Sequence, residues 1–210
     1  MPAQGVCSIW ELTVAATRAN FPNMDLSLET RDGLPEVLKV LLREHPREAW
    51  EADPQFNGLI AFWLDRHMMF RKLGGLLQQE CETLLDRKSD PHRFARAVGQ
   101  YGGMFVNQLH GHHQIEDHHY FPVLARRDTR IEKGFDLLDV DHHALDGHLN
   151  RFVSSANNAI QGANGPDPRT AASCFLEAAQ DMDRLLRRHL DDEEDLIVPV
   201  ILKYGTEGLG

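Results

Sequence analysis

The chain of 210 residues has few cysteines, no excess of positive charge and no long apolar run. Its three cysteines, Cys7, Cys81 and Cys174, are far apart and odd in number, so we expect reduced thiols rather than disulfides or a cysteine-ligated metal. A net charge of −10 argues against nucleic acid as a partner, because no basic surface would neutralise phosphates. No apolar run is membrane-spanning and the first residues lack the order of a signal peptide, so we expect a cytoplasmic protein with no membrane partner.

Histidine is abundant, with twelve in the chain, and four of the histidines fall into a repeated pattern. His112 is followed four residues later by Glu116, and 77 positions further on His189 is followed four residues later by Glu193. In both copies a proline comes six residues after the glutamate. On a helix the histidine and the glutamate of each copy share one face, one turn apart.

Each copy also has a histidine upstream at a similar distance. His67 lies 45 residues before His112, and His142 lies 47 residues before His189. The pattern is typical of two related helical hairpins, each giving one histidine from its first helix and a histidine and a glutamate from its second. Four histidines and two carboxylates from four helices predict a dinuclear metal site.

Helix starts are legible from capping residues. Asp-Pro pairs at 53–54, 90–91 and 167–168 place an N-cap acceptor before a proline suited to the first helical position, and residues 129–132 form a capping box. The predicted helices are 54–87, 91–125, 129–162 and 168–204. Short polar breaks between them favour antiparallel neighbours. We therefore predict an all-α fold, an antiparallel up-down four-helix bundle over residues 54–204.

Residues 1–53 are predicted to be an N-terminal extension with one short helix over 34–45, opened by Pro35 and ended by Pro46. Residues 1–24 show no clear period and receive no role.

The six motif residues all replace core residues in the apolar series of their helices, which step alternately by four and three. Each such series forms the buried seam of its helix, and only side chains on these seams can reach a metal inside a bundle. Burying so many imidazoles and carboxylates in an apolar layer would be very costly without a bound cation. The predicted metal ligands are His67, His112, Glu116, His142, His189 and Glu193.

The sequence leaves the role of several neighbouring residues undecided. His113 is either a fifth imidazole or a surface residue, since its counterpart in the second copy is Leu190. His119 suits a hydrogen-bond partner of the ligands or a pocket mouth, and His143 would replace His142 if the helix register shifted by one. Glu194 is not expected to be a ligand, because it is about 100° off the seam and the repeat pairs it with Asp117. The residues expected on a solvated acidic face are Asp191, Asp192, Asp195 and Glu80.

The chemistry of the predicted ligands limits which metal ions the site would bind. Imidazole and carboxylate without thiolate suit iron, manganese or zinc, and two bridging carboxylates favour a redox-capable pair over structural zinc. A ferritin-like site would need a glutamate on each of two helices and Glu-x-x-His on each of the others. Leu196 stands where the second such histidine would be, so this pattern is rejected.

Taken together, His67, His112-x-x-x-Glu116, His142 and His189-x-x-x-Glu193, with the prolines that follow, resemble the hemerythrin-like HHE cation-binding domains over roughly residues 54–204. The resemblance implies a four-helix bundle with two non-haem irons joined by an oxo or hydroxo bridge. It also implies that Glu116 and Glu193 bridge the irons and that the four histidines are terminal ligands.

The chain differs from the oxygen-carrying hemerythrins at one ligand position. Those proteins have a second histidine on the third helix, four residues after the position of His142. Here that position is Asp146. Fewer protein ligands would leave positions open for water, peroxide, NO or substrate. The first functional hypothesis is a protein that binds O2, NO or peroxide in sensing or detoxification. The alternatives are a peroxidase or oxygenase acting on an organic substrate, and an iron-responsive interaction module. Whether the protein is an enzyme, and whether it forms a homo-oligomer, stay open.

Overall fold

The computed structural model describes residues 25–56 and 58–209 of the chain. This part is all-helical, as predicted, with no strand among these residues. Its α-helices are α1 (Val40–Glu44), α2 (Gly58–Leu85), α3 (Pro91–Ile115), α4 (Phe121–Leu124), α5 (Glu132–Gly162) and α6 (Pro168–Tyr204).

The four long helices pack in a closed ring, in which α2 contacts α3 and α6, and α5 contacts α3 and α6. Their inward faces form two apolar clusters. One includes Phe70, Phe105 and Phe175, and the other includes Ile60 and Val200. The polar motif residues lie between these clusters along each helix, so five of them are buried by apolar side chains above and below, and His112 is largely covered.

Two of the four predicted caps form as expected. The Asp90 side chain accepts hydrogen bonds from the backbone of His92 and Arg93, and the Asp167 side chain accepts one from Thr170. The capping prolines fit because they lack the N–H that a helix leaves unpaired at its start.

The other two helix starts were predicted too early. The carboxylate of Asp53 accepts a hydrogen bond from the Gln55 backbone and closes a local turn, and the helix begins only at Gly58. Asp128 likewise binds the backbone and guanidinium of Arg130, so residues 129–131 form a turn and α5 begins at Glu132. The capping box at 129–132 was therefore wrong.

The second predicted helix, 91–125, is interrupted after Ile115. Residues Glu116–Tyr120 form one π-helical turn, followed by α4 and a short 3-10 turn, Ala125–Arg127. Pro122 has no N–H to continue the α-helical ladder, which favours a wider turn just before it. The wider turn rotates the following residues, so Phe121 is buried while His119 is exposed.

The described part of the extension packs on the bundle. Its helix α1 is shorter than the predicted 34–45, because residues after Pro35 form turns, and the 3-10 helix Arg47–Ala52 follows. Leu28, Leu38 and Trp50 are buried. Cys81 is buried and Cys174 exposed, both as free thiols, and Cys7 lies outside the described residues. No helix in the described ranges combines the length and apolarity needed to cross a membrane.

Candidate metal centre

The structure brings all the predicted ligands into one buried layer, in two groups. The two-histidine pole consists of His67 and His112, whose Nε2 atoms are 3.2 Å apart. The three-histidine pole consists of His113, His142 and His189. In each pole the potential ligand atoms lie within 4.8 Å of one another, with Glu116 and Glu193 counted in the first.

The two carboxylates reach from one pole to the other. Glu193 has one oxygen 3.3 Å from His67 Nε2 and its second oxygen 3.4 Å from His189 Nε2.

Glu116 repeats the arrangement from the facing helix. Its Oε1 is 3.0 Å from His112 Nε2 and its Oε2 is 3.6 Å from His142 Nε2. Each carboxylate therefore offers one oxygen to each pole, which is the geometry needed to bridge two cations.

Several polar atoms in this layer have no hydrogen-bond partner among the described residues, namely both carboxylate oxygens of Glu116, Oε2 of Glu193 and Nε2 of His113. Buried polar groups are rarely left unpaired, because desolvation is not recovered. Burial, followed by the nearby Glu193 carboxylate, raises the pKa of Glu116 well above its usual range. Burial lowers the pKa of His112 to about 3. A bound cation would replace the missing partners, so the donor set fits a metal pair.

His113 lies inside the centre and not on the surface. Its ring stacks on His142 with 3.9 Å between centroids and meets His189 edge-on. Only 6 % of its surface is exposed. Its counterpart Leu190 is fully buried elsewhere in the core. The two halves of the repeat therefore differ, with two imidazoles at one pole and three at the other.

A family model described as the hemerythrin HHE cation binding domain matches residues 58–201, more than half of the chain. The chain belongs to this family. Comparisons with curated proteins and with solved structures give no match. The family match covers both poles of the site and the four long helices except for the last three residues of α6, but it does not include the extension.

In this hemerythrin domain three of the histidines are held from behind by carboxylates. His67 Nδ1 lies 2.9 Å from Glu194, and His142 Nδ1 lies 2.7 Å from Asp117. The same relation recurs at 3.3 Å between His189 Nδ1 and Asp141. Such contacts fix the orientation of a ligating ring and leave its other nitrogen free for a metal.

Glu194 lies directly behind a candidate ligand, a place that the sequence did not indicate. Glu194 is 5 % exposed and accepts from Arg47 and Arg71 as well as from His67. Its position 100° from the seam aims it behind the neighbouring helix's histidine. Its repeat counterpart Asp117 does the same for His142, so adjacency in the sequence to Glu193 and Glu116 marks both residues.

The extension also reaches the layer. Arg31 is buried and binds Asp141 through both of its terminal nitrogens, and its Nε donates to Asp192 at 2.8 Å. Asp192, expected on the solvated face, is fully buried in this pair. Arg31 thus connects a segment outside the family match to the carboxylate that holds His189.

The remaining histidines are more peripheral. His119 is exposed because of the π-helical turn, so its predicted place beside the ligands was wrong. His143 is exposed and its Nδ1 faces the Asp139 carbonyl, which leaves His142 as the inward residue.

We expect Glu194→Gln and Asp117→Asn to weaken metal binding without abolishing it. Each removes the negative charge behind one histidine, and changes of this kind lower metal affinity by about 10- to 100-fold. Competition with a chelator of known affinity would measure the loss. Asp181→Asn, an exposed change on α6, should behave as wild type. Equal affinities in all four proteins would show that these carboxylates do not support the ligands.

Proposed function

We propose that this protein is a non-haem di-iron protein that binds O2, NO or peroxide and acts in sensing or detoxification. His67, His112, His113, His142 and His189 would be terminal ligands, and Glu116 and Glu193 would bridge two irons together with an oxo or hydroxo group. The helices would form an antiparallel up-down bundle over residues 54–204, with residues 1–53 as an extension.

One observation carries the proposal: each buried carboxylate turns one oxygen to each histidine pole. A single cation would use only one pole, and a solvated acid-base cluster would not bury seven such groups together. The irons would supply redox chemistry and open positions for a small ligand. The protein supplies the dry, fixed donor set that keeps those positions in place.

The unequal poles suggest where a small ligand enters. Three histidines plus the shared carboxylates occupy more of a metal's coordination positions than two histidines do. The two-histidine pole is therefore the more open one. We infer that O2, NO or peroxide binds there.

This inference is tested by His113→Leu, which copies Leu190 of the other half. Two bridges and four histidines remain, so iron content should stay nearly intact. Loss of the fifth imidazole opens the second pole, so the diferrous protein should autoxidise faster on mixing with oxygen and turn over peroxide faster. Stopped-flow absorbance would measure both rates. Rates identical to those of the wild type would remove His113 from the ligand set.

A second candidate function, a peroxidase or oxygenase acting on an organic substrate, is favoured by one specific observation. A cavity open to solvent reaches His112 and Glu116, at the two-histidine pole.

A further inference from the structure

The cavity at the two-histidine pole has a volume of about 240 Å³. His112 and Glu116 form its floor, and Trp63 and Tyr120, whose ring centroids are 4.8 Å apart, form an aromatic wall. Trp63 also donates its indole N–H to Glu193. The cavity is therefore in direct contact with the candidate centre.

The mouth of the cavity combines apolar side chains with one cation. Phe62 and Ile115 are 59 % and 49 % exposed, which is unusual for such large apolar residues. Arg66 lines the same cavity, and its Nη2 donates to Gln108. Among the described residues Arg66 forms no ion pair with a carboxylate, so its remaining donors face the cavity without an anionic partner.

The internal repeat shows what occupies the equivalent place in the other half. Positions 75 and 77 residues further along replace Arg66 by Asp141 and Ile115 by Asp192. In that half the space between the two aspartates is filled by the side chain of Arg31 from the extension. In that half, the apolar chain and the charged guanidinium of Arg31 therefore fill the space that is a cavity in the other half.

The charges are reversed in the half with the cavity. Asp141 and Asp192 bind the guanidinium of Arg31, whereas the matching positions in the half with the cavity hold the cation Arg66 and the apolar Ile115. The third matching pair is Gly111 and Arg188, so the cavity also lacks a side chain there. The complementary occupant carries an anionic head and an apolar body.

We propose that this cavity binds a small organic carboxylate, with its carboxylate on Arg66 and its apolar body between Phe62, Trp63 and Ile115. The volume is below the usual range for drug-sized ligands, so a body of about ten non-hydrogen atoms fits. A guanidinium binds a carboxylate through two parallel hydrogen bonds, which gives the site its selectivity. The cavity site adds a ligand class to the proposed function. It rests on that function in one respect, that the bound carboxylate would lie next to the irons.

Calorimetric titration of the full, metal-loaded protein with benzoate tests the proposal, with benzyl alcohol and inorganic phosphate as comparison probes. Benzoate should bind about tenfold or more tightly than either one, since only it has both the anion and the apolar body. Arg66→Gln should lose that advantage for benzoate and leave benzyl alcohol unchanged. Lys72→Gln removes an exposed cation from the same helix outside the cavity and should change nothing.

A second variant fills the cavity instead of discharging it. A Cβ added at Gly111 would meet no atom within 4 Å, so Gly111→Leu can extend into the space without a clash. It should abolish benzoate binding and leave iron content as in the wild type. Gly75→Leu, at another open glycine outside the cavity lining, is the matched control and should bind benzoate normally.

The outcomes separate this proposal from the proposed function. Benzoate binding that ignores both Arg66→Gln and Gly111→Leu would overturn the cavity site, even in a protein with two irons. If phosphate bound as tightly as benzoate, the claim that the cavity selects an organic carboxylate would be overturned, and the site would be a general anion site. If the protein purifies without iron and binds benzoate in a way that depends on Arg66, the di-iron function is overturned and the cavity site is supported.

Discussion

Glu116→Ala and Glu193→Ala should each remove both metal ions at once. Each carboxylate offers one oxygen to each pole, so either change takes a ligand from both cations and leaves the five imidazoles with a single carboxylate between the poles. Iron should fall from about two per chain to near zero, because a dinuclear pair depends on its shared ligands. Elemental analysis after identical purification would measure the loss.

Glu177→Ala, on the same helix as Glu193 but outside the centre, is the control and should keep full iron. A Glu193→Ala protein that retained one iron would show that the carboxylate serves a single pole. One that retained both irons would contradict the bridging geometry.

Arg31→Met should destabilise the protein more than any other change in the extension. It leaves Asp141 buried without a guanidinium partner, while Asp192 keeps Arg188 alone, and breaking a buried pair in this way costs about 3–5 kcal/mol in the free energy of unfolding. Asp141 would also hold His189 less firmly, so metal affinity should fall by about 10- to 100-fold. Denaturant titration and chelator competition would measure the two effects.

Arg43→Met is the matched control, because Arg43 lies in the same extension and, among the residues that the structure describes, pairs with exposed Glu36 alone. It should change stability by no more than about 0.5 kcal/mol. A large loss of stability in Arg31→Met with unchanged metal affinity would make Arg31 a purely structural partner. Equal behaviour of Arg31→Met and Arg43→Met would contradict the connection between the extension and the centre.

The burial of the six seam residues could be predicted from the sequence because two rules agree on them. Helical periodicity, which acts within a few residues, places His67 or His189 on the buried face. The internal repeat then predicts the same for the matching residue 75 or 77 positions away. The fold class follows from the same periodicity.

The support behind the ligands was missed for two different reasons. Glu194 and Asp117 carry a local signal, since each follows a candidate bridging glutamate, but the 100° rotation only excluded Glu194 as a ligand and did not show the histidine of the neighbouring helix. Arg31 carries no local signal, because its contact with Asp141 joins residues 110 positions apart. The place of His113 depends on the packing of its ring against His142 and His189 from the neighbouring helices, which periodicity alone does not specify.

The central claim is that the two poles hold a pair of irons, and metal analysis with an optical spectrum of the aerobically purified protein tests it most directly. The account predicts about two irons per chain and near-ultraviolet absorption from an oxo-bridged ferric pair. Stoichiometric zinc without that absorption would contradict it.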